Sequence, residues 1–185
     1  MALDQSLFSL IHSLAGTSKI LDWIGIFLAS GFTYIVIGVF VILVLRLYKD
    51  TRHRFYHFAF TAFAVLLSRG FFAELLYFLW SRSRPFAALR FTSLIAHPDS
   101  PAFPSGHAAL LFAIAFSLFF FRNHHWSAKQ FRTLACIFIF AALLNGVARV
   151  FVGVHWPLDI AGGALFAFIS VLIVRRFMPF TLGEK

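Results

Sequence analysis

Membrane-length apolar runs, repeated along the chain, limit this sequence more than any single motif in it. A helix needs about 20 residues to cross a hydrocarbon core, and apolar windows near that length occupy residues 55–79, 106–121, 131–152 and 158–177. A further run, 20–48, exceeds one untilted span and carries Ser30-Gly31 in its middle. It reads as a short interfacial helix over 20–29 and a span proper over 32–47. The 106–121 window is short, so its helix is expected to start at Pro104. Residues 3–14 read as another interfacial helix, with Leu3, Leu7, Leu10 and Leu14 as its apolar stripe and Asp4 and Gln5 outside it. The expected fold is an all-α integral membrane helical bundle of five spans, with interfacial helices within residues 1–30. A six-span alternative completes the first span with those amphipathic residues. Residues 1–185 are expected to form a single membrane-embedded domain.

The same runs leave no solvent face for a soluble bundle. Charged residues make up 12% of the chain and hydrophobic ones 61%, where a soluble domain carries about 25% charged. Mean hydropathy is +0.86. The net charge of +9 does not point to nucleic acid, because the cations cluster at segment ends and form no basic stripe with interleaved aromatics. Anionic lipid accounts for them. Cys136 stands alone in an apolar run and reads as a packing residue. No cleavable leader is expected, since Asp4 stands where such a segment is basic.

Charge asymmetry orients the spans. Arg46, Lys49, Arg52 and Arg54 share a side with Arg122, Lys129 and Arg132 and with Arg175, Arg176 and Lys185, which the positive-inside bias makes cytoplasmic. The other side receives Lys19, Arg82, Arg84, Arg90 and Arg149 together with His107 and His155. Cations on the normally depleted side call for an anionic ligand there.

Two stretches carry the chemistry. Pro104-Ser105-Gly106-His107 opens an apolar helix, and the free N–H groups of a helix start beside a serine hydroxyl make an anion seat. His107, in the first turn, can reach whatever the seat holds. The plainer alternative is that Ser105 only caps and His107 marks the headgroup boundary. Arg149, His155 and Asp159 bracket the tight connection between the last two spans. An aspartate four residues after a histidine can accept its Nδ1 proton and leave Nε2 free to attack. Asp159 could also merely favour the start of a helix that Pro157 initiates. Arg84-Pro85 ends an earlier span, and its guanidinium suits phosphate oxygens. Arg82 fits a snorkelling anchor better. Arg90, His97 and Asp99 lie in the long loop that follows and are weaker candidates for meeting a headgroup. Gly162 and Gly163 read as a close helix–helix contact. His53, His57, His124 and His125 read as boundary residues. No carboxylate cluster suggests a metal site, and no cofactor is expected.

These residues resemble the type-2 phosphatidic acid phosphatase superfamily of membrane lipid phosphatases. Its three blocks are a lysine with Arg-Pro seven residues on, Pro-Ser-Gly-His, and an arginine followed by histidine six residues later and aspartate four later again. The second block is complete at residues 104–107, and the third is carried by Arg149, His155 and Asp159. Ala148 stands where a serine usually precedes that arginine, and Tyr77 stands at the lysine position before Arg84-Pro85. The blocks run from Tyr77 to Asp159, nearly half the chain.

The resemblance implies that His155 attacks phosphorus and forms a phosphohistidine while Asp159 orients it. His107 would protonate the departing oxygen and then activate water. Arg84, Arg149, Ser105 and the Gly106 N–H would neutralise the phosphoryl oxygens. Tyr77 offers one hydrogen bond and no charge, so Arg82 could compensate for the lysine. Glu74, one turn before Tyr77, could hold an arginine or meet a headgroup. The approach to the second block, from Leu94 onward, is similar to the bacterial undecaprenyl diphosphate phosphatases of this superfamily. That implies a bacterial inner membrane location, an extracytoplasmic site and a polyprenyl diphosphate substrate. Phosphatidylglycerophosphate or phosphatidate is the alternative, and a membrane transporter is the reading of another class. Anionic lipids are expected as surroundings, without nucleic acid, and no oligomeric state is indicated.

Overall fold

The computed structural model describes residues 2–98, 100–121 and 126–179. Asp99, Arg122, His124, His125 and Lys185, used above, lie outside the described residues. Among the described residues there is no strand. The helices are α1 (Ala2–His12), α2 (Lys19–Ala29), α3 (Gly31–Leu47), α4 (Thr51–Leu79), α5 (Pro85–Leu89), α6 (Gly106–Phe120), α7 (Ala128–Phe151) and α8 (Pro157–Phe177).

Local chemistry explains where these helices start. Asp50 accepts from the His53 N–H at 3.2 Å, Ser127 and Gln130 cap each other's backbone, and Pro157 occupies the first turn of α8. The middle of α4 widens into a π-helical stretch, Leu66–Phe72. α6 does not start at Pro104 as expected. Ser105 has extended backbone and its hydroxyl faces the Ala108 N–H at 3.5 Å, so the helix begins at Gly106.

α6 is the centre of the bundle. Ala108, Ala109, Leu111, Phe112, Ala113 and Leu118 are all buried, enclosed by α3, α4, α7 and α8. A helix that is apolar all round belongs in such a place. The outside is apolar too: Phe78 is 87% exposed and Phe140 68%. Water would make such a surface costly, whereas lipid is its natural solvent. Of the described helices, α4, α7 and α8 are each long and apolar enough to cross a bilayer, and α2 with α3 passes as a pair bent by 44°. The five-span expectation also counts α6, which its length alone does not qualify.

α1 departs from the expected picture. Its leucine stripe does face outward, with Leu3 and Leu10 largely exposed, but Asp4 and Phe8 are buried. The polar residue expected outside the stripe is thus one of the most enclosed on the helix.

The two ends of the bundle differ in chemistry. At one end Tyr48, His57 and Phe121 stack ring on ring, Arg175 lies 4.4 Å over the Phe120 ring, and the Tyr56 hydroxyl donates to the Met178 carbonyl. The other end gathers the starts of α6 and α8 and the ends of α4 and α7. What joins α6 to α8 there is Gly163. A Cβ at this position would stand 2.7 Å from both the Ala108 Cβ and the Ser105 carbonyl oxygen. Gly163 therefore does serve a close helix contact, whereas Gly162 makes room for the Phe103 ring of the loop before α6.

Gly163→Val is expected to wedge α6 from α8 at a cost of about 1–3 kcal/mol, the usual range for overpacking. Gly38→Ala, where a new Cβ meets nothing within 4 Å, is the matched control. Thermal unfolding in detergent should show a clear fall for the first and almost none for the second. Equal melting temperatures would mean the helices are not in tight contact.

Candidate active site

A break between two helices prepares the site. Where α2 gives way to α3, the last carbonyls of α2 lose their intrahelical partners. Asn145 Nδ2 donates to Leu28 O at 2.7 Å and Ala29 O at 3.3 Å, and Arg149 Nη1 donates to Ala29 O at 3.0 Å. The two residues sit one turn apart on α7. Arg149 is thereby held at 2% exposure, and its Nε has no partner among the described residues. A buried, unmatched donor costs about 1–3 kcal/mol, which an anion in the adjoining cavity would recover.

Arg84 is pinned by a second set of carbonyls. Its Nε donates to Ser100 O at 2.9 Å, Nη1 to Val154 O at 2.9 Å and Nη2 to Pro101 O at 3.2 Å. The same Nη1 lies 3.2 Å from His155 Nε2. These oxygens fix the direction of the buried guanidinium.

His155 is delivered by a turn at Gly153, whose φ of 88° suits glycine. Its Nδ1 lies 3.4 Å from Asp159 Oδ2, and that oxygen also accepts from the Trp156 N–H at 2.8 Å. With the proton on Nδ1, the Nε2 lone pair faces Arg84 and the cavity. Burial, with the Arg149 and Arg84 charges added, pushes the His155 pKa well below the usual histidine range. The shift favours the neutral ring.

Behind Asp159 lies an ion network. Arg82 Nη1 contacts Asp159 Oδ1 at 2.5 Å, and its Nη2 pairs with Asp4. The other Asp4 oxygen accepts from the Leu158 N–H at 2.9 Å. The Arg82 guanidinium also lies over the Trp156 ring at 5.6 Å. Arg82 is therefore neither a lipid anchor nor a substitute for the missing lysine. It holds the aspartate from the side away from the cavity.

The cavity measures about 380 Å³ and is bordered by Arg84, Arg149, His155, His107, Gly106, Tyr77 and His97 among others. His97 Nδ1 lies 3.0 Å from Pro98 O, and burial lowers its pKa. Not every expected residue reaches the cavity. Ser105 is fully buried: its N–H donates to Asp159 O at 2.9 Å, and its hydroxyl caps α6. The N–H groups of Gly106 and His107 remain at the helix start, where no intrahelical partner exists. Tyr77 spends its hydroxyl on Pro104 O at 2.8 Å, bracing the loop before α6. Arg90 is exposed at the end of α5, away from the cavity. Glu74 holds an arginine, and that arginine is Arg69.

Arg69 and Asp4 are the residues that sequence reasoning missed. Arg69 borders the cavity, pairs with Glu74 at 2.5 Å, and its Cζ lies 5.9 Å from the Tyr77 ring centre. The available signals were a lone arginine in the middle of a membrane helix and a lone aspartate beside an apolar stripe. Charges in such places are costly enough to need a reason. Among the described residues no three His, Cys, Asp or Glu side chains come together as metal ligands.

The sequence profile of the PAP2 superfamily matches residues 58–182. The bacitracin transport permease protein BcrC of Bacillus licheniformis is 33% identical over 93% of this chain and 79% of its own. The undecaprenyl-diphosphatase BcrC of Bacillus subtilis is 29% identical over 95% of this chain and 84% of its own. Among solved structures, LpxE of Aquifex aeolicus superposes with a TM-score of 0.69 at 26% identity, over 95% of this chain and 96% of that one.

Asp4→Asn should loosen Arg82 and, through it, Asp159. The expected result is a kcat reduced at least tenfold with KM changed less than threefold, since Asp4 does not border the cavity. A change confined to KM would mean that Asp4 does not act through the His155–Asp159 pair.

Proposed function

The chain belongs to the PAP2 superfamily and is a membrane lipid phosphatase, and we propose that it removes the terminal phosphate of a lipid-linked diphosphate. Undecaprenyl diphosphate, converted to undecaprenyl phosphate, is the substrate this reading assigns. The similarity to a Bacillus subtilis undecaprenyl-diphosphatase over 95% of the chain supports it. The observation that carries the chemistry is the shared cavity of His155, Arg84, Arg149 and His107.

In this reading His155 Nε2 attacks the terminal phosphorus while the bond to the bridging oxygen breaks. His107 gives its proton to that oxygen, and the lipid monophosphate leaves. Neutral His107 then takes a proton from water as the water attacks the phosphohistidine. Inorganic phosphate departs, and both histidines return to their starting states. Arg84, the unmatched donors of Arg149 and the N–H groups of Gly106 and His107 face the phosphoryl oxygens. Such fixed donors stabilise growing charge because they need no reorganisation. Asp159 keeps the Nδ1 proton in place and balances the positive charge that His155 acquires on attack. Tyr77 and Ser105 act on the shape of the seat, and no metal is assigned a role.

The name of one relative carries a transport reading. The polar side chains that border this cavity gather at one end of the bundle, and the α6 core beneath them is apolar from Ala108 to Phe116. That arrangement supports hydrolysis at a surface over passage through the bundle. Residues 1–185 are taken as one phosphatase domain in the bacterial inner membrane, with the cavity on the extracytoplasmic side. The basic residues at the opposite end support that orientation.

Turnover on undecaprenyl diphosphate, phosphatidylglycerophosphate and phosphatidate in detergent tests the substrate. The prenyl diphosphate should show the highest kcat/KM, and His155→Ala and His107→Ala should each lower it by at least 10³-fold while still inserting in membranes, because each removes a reacting group. A tenfold preference for phosphatidate would replace the substrate but keep the enzyme class. Near-normal turnover in His155→Ala would end the phosphohistidine mechanism.

Orientation has its own test. In a background without Cys136, a cysteine near Arg90 should react with an impermeant thiol reagent on intact cells, and one near Arg52 should not. The reverse pattern would place the cavity on the cytoplasmic side.

A further inference from the structure

The geometry points to Arg69 as the recognition residue for a second phosphate, the one that stays on the lipid when the terminal phosphate is cut off. This inference rests on the lipid diphosphatase reading and adds the contact by which a diphosphate would be told from a monophosphate.

Depth within the cavity sorts its cations. Arg84 and Arg149 are 3% and 2% exposed and lie with His155 at the buried end. Arg69 has 41% of its side chain exposed and so marks the open end of the cavity, whose border also includes Tyr34 at 76% exposure. His107 is half-buried between these limits. A substrate attacked at its terminal phosphorus by His155 therefore points its leaving group outward, past His107 and toward Arg69.

Three features fix Arg69 in that position. It belongs to the π-helical stretch Leu66–Phe72, and π turns frequently occur at functional sites. Glu74, five residues on, meets Arg69 Nη1 at 2.5 Å. Five residues are poorly aligned along an α-helix but close to neighbours along a π turn. Finally, the side chain crosses the N-terminus of α6 in the space left by the absent Cβ of Gly106: a methyl group there would collide with Nε and Cδ of Arg69. The guanidinium is thus stationed next to the first N–H groups of α6, one residue from His107.

Charge balance agrees with this placement. Glu74 engages one edge of Arg69 from an exposed position outside the cavity, leaving the remaining N–H donors for an anion. Tyr77 cannot serve that anion while its hydroxyl donates to Pro104, but its ring backs the guanidinium. A lipid monophosphate that leaves as an alcohol has no charge to offer Arg69. A diphosphate leaves as a phosphate monoester, whose charge rises as the bridging bond breaks. Arg69 would meet that charge most strongly in the transition state, so it favours the diphosphate in kcat as well as in binding.

The test uses a prenyl diphosphate and the monophosphate with the same tail, so that the apolar contacts cancel. Arg69→Gln should lower kcat/KM at least 30-fold on the diphosphate and less than threefold on the monophosphate. Arg69→Lys should restore part of the difference, because it returns charge without the planar fork. Equal losses on both substrates, or no loss on either, would overturn the inference and leave the phosphatase reading standing. Wild-type protein inactive on both would remove that reading and this inference together. If Arg69→Gln does not fold, inhibition of the wild type decides. Methylenebisphosphonate, whose two phosphorus centres are joined by a bridge that cannot be hydrolysed, should inhibit at least tenfold more tightly than inorganic phosphate. Equal inhibition by the two would rule out a second phosphate position.

Discussion

Two buried guanidiniums that donate to backbone carbonyls set the terms for the rest of this structure. A bilayer offers neither water nor high dielectric to a charge, so Arg84 and Arg149 must find donors' partners within the protein. Backbone carbonyls satisfy the hydrogen bonds and leave the charge intact, but carbonyls are free only where helices break or loops cross. The bend between α2 and α3 exposes Ala29 O for Arg149, and the 100–101 loop with Val154 supplies Arg84. The irregular backbone at this end of the bundle is therefore the means by which positive charge is stored there.

Helix α6 extends the same logic. Its N-terminus needs to face the cavity, with the positive end of its dipole and its unpaired N–H groups aimed at the ligand. Gly163 lets α8 come close against its first turn, and Ser105 and Tyr77 tie down the loop before it. Its central position follows from presenting this helix start to the cavity.

The parts of the site legible in the sequence were those at helix ends. His107, His155, Arg84 and Arg149 stand next to proline, glycine or a tight connection, where local signals and membrane placement coincide, and all four border one cavity. Arg82 was equally visible but its direction was not. Its pairing with Asp159 and Asp4 joins positions 77 and 78 residues apart, and no local pattern encodes that. Asp4 looked like the polar face of an amphipathic helix because periodicity reports that a residue differs from its neighbours, not which solvent it meets. Arg69 was hidden for a different reason: a π-helical stretch changes which residues share a face, so α-helical spacing does not relate it to Glu74 or to Gly106. The helices themselves were easier, as apolar length is a strong signal in a membrane. The start of α6 was displaced by two residues because the serine cap outweighed the need for length.

Charge is arranged asymmetrically about His155, and the asymmetry has a chemical use. On the far side from the cavity, Asp4 and Asp159 share the single cation Arg82, leaving an excess of negative charge behind the ring. On the near side Arg84 and Arg149 donate to backbone carbonyls, and Arg69 meets Glu74 from outside the cavity. In the proposed reaction a dianionic phosphoryl group would be drawn to the near side by this field. If Nε2 gave its lone pair to phosphorus as proposed, the imidazole would become cationic and the carboxylate behind it would gain a partner. Each charge created by attack would then stand next to a fixed charge of opposite sign, which would lower the barrier without moving any group. The reverse polarity, with carboxylates in front, would repel the substrate before any histidine could act. The position of Arg82 behind Asp159 is what keeps the two sides distinct: moved into the cavity, it would leave two buried carboxylates unbalanced and the histidine without a stable support.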